Sequence, residues 1–194
     1  MNSDDITELF TRDGKFFCAK WGRPVSPVIF GLEDESLAIF RDVLAAVLRD
    51  IRHPMMETDP EMGANLMMFF VRDWSELAEI PDLDSLTGQP DLAGRLSGQD
   101  ADECRIFRFD ADGSIRACLT FVNMSGGLAQ AHPAQLAEAL AVRAMLTFAR
   151  DVVPSVRIAE LLRAAYDPAL TVAATDPSHA LRLAARIQAA PRLS

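Results

Sequence analysis

The sequence predicts an α+β fold: a small mixed sheet that includes a β-hairpin at about residues 104–122, packed against a long helix in the N-terminal half and three C-terminal helices. Three observations carry this expectation. Leu37, Phe40, Val43, Leu44, Val47, Leu48 and Ile51 recur at intervals of three and four, the spacing of one buried helical face. Ala64 to Val71 is apolar on both alternations, as in a strand covered on both sides. Asp110-Ala-Asp-Gly113 separates two alternating apolar runs, a hairpin signal.

In chain order, Pro24 and Pro27 hold residues 23–27 extended, leading into a strand at Val28–Phe30. The long helix is expected over Ser36–Arg52 and is ended by His53-Pro54. Residues 55–63 read as turns around Asp59-Pro60 and Gly63, ahead of the Ala64–Val71 strand. Residues 73–102 lose strong periodicity and read as an irregular excursion, with room for short helices near Ser75–Glu79 and Ala93–Leu96. The hairpin strands are Cys104–Phe109 and Ser114–Val122. Phe107 and Phe109 are expected to share an apolar face with Ile115, Ala117, Leu119 and Phe121, while Arg108, Ser114, Arg116 and Thr120 point away. Helices follow over Pro133–Arg150, Ser155–Tyr166 and Pro177 to about Gln188, the last opened by Asp176-Pro177.

A chain of 194 residues buries roughly two-thirds to three-quarters of its unfolded surface, so one domain over 1–194 is expected. Apolar residues make up 49% and charged residues 24%, an ordinary globular balance. The 28 acids outnumber the 19 bases for a net charge of −9, which argues against nucleic acid and anionic membranes as partners. No stretch reaches the ~20 apolar residues that cross a bilayer. The acidic N-terminus, Met1 to Glu8, has no basic region followed by an apolar run, so a cytoplasmic location is expected. The bases are arginine apart from Lys15 and Lys20, a skew that with abundant alanine fits a GC-rich bacterial genome. Cys18, Cys104 and Cys118 are odd in number and widely spaced, which fits reduced structural thiols.

The order strand, long helix, strand, hairpin, helix resembles the zincin metallopeptidase layout. The segments Arg23–Phe30, Gly63–Val71, Gly113–Thr120 and Leu162–Leu170 resemble those of a bacterial zincin-like family of unknown function. In zincins the helix after the edge-strand pair carries H-E-x-x-H, two zinc histidines around a general base. Here that register reads Ala137-Glu138-Ala139-Leu140-Ala141. The resemblance places Glu138 at the base position and Ala137 and Ala141 where both ligands would stand. It therefore implies a degenerate, catalytically inactive member with no metal and no cofactor, since zinc needs at least three protein ligands. His53, His132 and His179 are far apart in sequence.

Other patterns point to binding. Five of the eight methionines, Met55, Met56, Met62, Met67 and Met68, fall between 55 and 68, which suits core packing or a pliable apolar surface better than copper. Glu57, Asp59 and Glu61 alternate beside Asn65, a solvated acidic turn or, in the sharper reading, a carboxylate site. Asp110–Gly113 lacks the later ligands of a calcium loop, and Ser125-Gly126-Gly127 reads as a connector. The leading expectation is a non-catalytic binding or scaffold domain with Glu57, Asp59, Glu61, Asn65 and Met67 as candidate contacts. A homodimer or a protein client is the expected partner. An acidic chaperone-like protein and an enzyme with a carboxylate site near 57–65 are the alternatives.

Overall fold

The structure, a computed structural model, describes residues 1–99 and 102–189; residues 100 and 101 of the expected excursion and residues 190–194 of the expected domain lie outside them. The elements in order are α1 (Ser3–Phe10), β1 (Thr11–Arg12), β2 (Lys15–Phe16), β3 (Cys18–Ala19), β4 (Pro27–Phe30), α2 (Asp34–Asp50) and β5 (Leu66–Val71). A 3₁₀ helix (Trp74–Glu79), α3 (Leu83–Thr87), α4 (Leu92–Ser97), β6 (Glu103–Phe109) and β7 (Ile115–Asn123) follow. A second 3₁₀ turn (Gly127–Gln130), α5 (Pro133–Met145), α6 (Val156–Ala165), β8 (Ala173–Ala174) and α7 (Ser178–Ala189) complete the α+β fold.

The main sheet has the order β4-β5-β7-β6, with β4, β5 and β7 parallel and β6 antiparallel at the edge. Burial on both faces explains the continuous apolar run of β5. On one face Leu66, Met68, Phe70, Cys118 and Val122 pack under α2, through Phe40, Leu44 and Leu48, and α5, through Leu136 and Leu140. On the other, Phe69, Val71, Ile106, Leu119 and Phe121 pack against Trp74, Leu77, Leu83, Leu92 and Leu96. The excursion is thus a covering layer, its leucines spaced to cap the sheet. Phe69 stacks between Phe30 and Phe121, with ring centroids 5.0 and 5.1 Å apart, and ties three strands together on this face.

Three local expectations are corrected. The hairpin keeps Phe107 and Phe109 stacked, with ring centroids 6.3 Å apart, but not on the face of Leu119 and Phe121: Phe107 lies opposite Cys118, Ile106 opposite Leu119, and the register shifts between Arg108 and Phe109. That irregularity places Ile115 in the larger core cluster, bridged to Trp21, while Leu119 and Phe121 face the other cluster. Thr120, expected to point outward, is buried because β7 is an inner strand covered on both sides. The helix expected to reach Arg150 stops at Met145: Leu146 bridges Lys20, and the Thr147 hydroxyl accepts from Ala19 N at 2.9 Å and donates to Phe17 O at 3.2 Å. Tertiary pairing there outweighs helix propensity. The methionines do not form one surface, for Met68 is buried while Met55 and Met56 are exposed.

The N-terminal strands are clamped to the C-terminal helices by polar groups. Lys20 Nζ donates to the carbonyls of Ala165 at 2.8 Å and of Asp167 and Leu170 at 3.2 Å, satisfying the C-terminal end of α6. Trp21 Nε1 donates to Ala144 O at 2.8 Å, and the Tyr166 hydroxyl to Met145 O at 2.8 Å. Among the described residues no helix is long and apolar enough to cross a membrane.

Candidate functional site

The acidic turn chosen from sequence is a structural lock. Asp59 and Gly63 exchange backbone hydrogen bonds at 2.9 Å, and Gly63 takes φ +74°, where a side chain would be strained. Buried Asp59 accepts from the backbone N–H of Glu61 and Met62 at 2.9 Å and from Asn65 Nδ2 at 3.0 Å. Asn65 also accepts from Ser26 N at 2.7 Å and donates to Pro24 O at 2.8 Å, joining the turn to the start of β4. Glu61 pairs with Arg23 at 3.1 Å and with Arg116 at 3.3 Å, and Arg23 also donates to Asp110 from Nε at 3.2 Å and Nη2 at 2.9 Å. Glu57 is exposed and Met67 half-buried, packed on the excursion side. The structure brings Asp59, Glu61 and Asn65 together and leaves Glu57 and Met67 apart from them.

Burial pushes the Asp59 carboxyl up, but the Met62 and Glu61 amides, the Asn65 amide and the Arg23 guanidinium outweigh it and hold the group below the usual 3.8. A carboxylate held ionised in this way is a turn anchor; a general base requires the opposite shift. Asp59→Asn would turn an amide NH₂ toward Asn65 Nδ2 or the turn's N–H groups, and is expected to cost about 1–3 kcal/mol at neutral pH. Because the folded pKa is depressed, this contribution is present above the unfolded value and lost as pH falls through the folded one. The gap in urea midpoint between wild type and variant should therefore narrow below about pH 4.

Glu138 is exposed on α5, whereas Ala137 and Ala141 are 2% and 1% exposed in the core against α2. Among the described residues, no group of three or more His, Cys, Asp or Glu side chains could hold a metal ion.

A concavity lies elsewhere, along the free edge of β6. All seven residues of Glu103–Phe109 line a groove of about 930 Å³. Its walls come from Arg12, Asp13, Lys15 and Phe17 near the β1–β2 hairpin, from Thr147, Phe148, Ala149 and Asp151, and from Gln89, Leu96 and Gln99 of the excursion. One edge of β6 pairs with β7; among the described residues no backbone hydrogen bond joins β6 to any other segment. The opposite sheet edge, β4, is four residues long and begins with Pro27, a blunted edge. Among the described residues, the seven-residue β6 edge is guarded by the groove walls alone.

An ionic cluster fixes one end of the groove. Glu103, its side chain 5% exposed, pairs with Arg105 and with Arg143 of α5, the latter at 2.5 Å. Arg105 reaches Asp151 at 3.0 Å, and Arg143 Nε donates to Val152 O at 2.9 Å. At the other end Phe17 and Phe109 meet edge-to-face at 5.1 Å, with Phe109 partly exposed. Cys104 is the half-buried thiol of the groove, and burial pushes its pKa up against the opposing charges of Arg95 and Arg105. Burial lifts Cys18 and Cys118 to about 12, so none of the three thiols is primed as a nucleophile.

Sequence reasoning missed this site because its walls come from four segments. Local signals existed, in the Asp13-Gly14 turn and in the charged residues Glu103, Arg105 and Arg108 placed within an otherwise apolar strand. Comparison with protein-family models, curated proteins and solved structures finds no match to this chain.

Proposed function

We propose that this chain is a non-catalytic binding domain, on a degenerate zincin-like scaffold, that accepts an extended polypeptide segment as an added strand at β6. The observation that carries the reading is the unpaired seven-residue edge of β6 lying along a 930 Å³ groove. Main-chain hydrogen bonds to such an edge supply affinity, and the walls beside alternate side chains supply selectivity. The depressed pKa of Asp59, the exposed Glu138 and the raised thiol pKa values favour binding over catalysis. The occupant proposed is a protein client, with an edge-to-edge homodimer as the alternative, because the hairpin and the excursion both flank β6.

Cys104 provides the test. Random peptides of about eight residues, enough to span β6, are selected on the protein and assayed for slowing thiol labelling at Cys104 and amide exchange over Glu103–Phe109. Protection at both is expected. Failure to enrich any peptide, or binders that leave Cys104 and β6 unprotected, would overturn the reading.

A further inference from the structure

Resting on the strand-addition reading, we infer that the groove selects an acidic extended segment of another polypeptide. Among the described residues its lining carries four bases, Arg12, Lys15, Arg105 and Arg108, against three acids, Asp13, Glu103 and Asp151. Glu103 and Asp151 are engaged by Arg105 and Arg143, so the remaining lining charges are Arg12, Lys15 and Arg108 against Asp13. This basic balance sits on a chain of net charge −9. The formal charge of these lining residues is opposite in sign to that of the chain as a whole.

The placement of these bases adds to the argument. Arg12 and Lys15 stand directly opposite each other across the β1–β2 pair, an arrangement of like charges that costs stability. Among the described residues, neither they nor Arg108 has a carboxylate partner: Arg12 donates to Ala149 O at 2.8 Å, and Arg108 only approaches Leu86 O at 3.4 Å. A strand laid along β6 presents alternate side chains to opposite walls. Carboxylates on one alternation meet Arg12 and Lys15, and those on the other meet Arg108 beside the excursion. The Phe17–Phe109 pair gives the segment an apolar contact at one end of β6.

Three labelled peptides of about eight residues test this by fluorescence anisotropy: alternating Val and Glu, alternating Val and Lys, and the Val–Glu peptide with alternate backbone nitrogens methylated. The Val–Glu peptide is expected to bind at least about tenfold more tightly than the Val–Lys peptide. The preference should weaken as salt rises. It should be lost in K15E/R108E, or in K15E alone, at an exposed position, if the double variant does not fold. N-methylation should abolish binding. Equal affinities, or a preference for lysine, would overturn the acidic selection while leaving strand addition standing, provided that N-methylation still blocks binding. Undiminished binding of the methylated peptide would overturn strand addition itself. Binding by neither peptide would overturn the present inference, with the peptide selection then deciding the reading beneath it. A peptide-free dimer that the Val–Glu peptide dissociates would make a second copy the occupant and overturn the inference as well.

Discussion

Replacing Ala137 and Ala141 together with histidine, which restores H-E-x-x-H in α5, is expected to unfold much of the protein and to bind no stoichiometric zinc. Both alanines are buried on α5, which packs against α2, in the core cluster that also holds Phe40, Leu44 and Leu48 of α2. An imidazole at either site adds several heavy atoms to a packed interior, at about 1–3 kcal/mol each. Burying ring nitrogens without partners adds a similar penalty. The sum for two sites, on the order of 4 kcal/mol or more, is a large part of a typical domain's ~5–15 kcal/mol. A urea titration with elemental analysis of the purified variant checks this. A stable variant with one zinc per chain would mean that these positions can face an open site, and would restore the enzyme reading.

The parts of the fold legible from sequence are those whose signal is local. The three-and-four spacing from Leu37 to Ile51 marks α2, whose end at Asp50 is fixed by Arg52 in the left-handed region at φ +55°. The apolar run at 64–71 and the Asp110–Gly113 turn mark β5 and the β6–β7 hairpin in the same way. The short α1 is less conspicuous, although Asn2 and Asp5 form a capping box whose sequence signal is visible in retrospect. The face assignment of the hairpin failed because strict alternation does not anticipate an irregularity at Arg108/Phe109. The end of α5 failed because Leu146 and Thr147 are claimed by residues 17–20, more than 120 positions away in the chain. Distance in sequence also hid the groove. The acids of the turn at 57–65 alternate within five residues, yet their proximity serves the turn, with Asp59 and Asn65 spending their hydrogen bonds on the backbone around them. The groove needs the β1–β2 hairpin, the excursion, β6 and the 147–151 segment at once, and no spacing rule joins those.

Glu103→Gln is expected to lower stability by about 2–4 kcal/mol and at the same time to strengthen binding of an acidic strand. The carboxylate lies between Arg105 and Arg143 with its side chain 5% exposed, and the two guanidinium groups are themselves only 9% and 15% exposed. Removing one member of a buried ionic cluster strands the others, typically at about 3–5 kcal/mol. The estimate falls lower because Asp151, 58% exposed, still offers Arg105 a partner. Asp151→Asn, at that exposed position, should cost no more than about 1 kcal/mol. The binding effect has the opposite sign: without the Glu103 charge, Arg105 and Arg143 share the single carboxylate of Asp151, and one more positive charge beside β6 is left unneutralised. Urea midpoints and anisotropy titrations of the same variant separate the two effects. Lower stability with tighter Val–Glu binding is the expected pair. Lower stability with weaker binding would mean that Glu103 serves the groove by holding β6 against α5, and that the shape of the edge matters more to the ligand than its field.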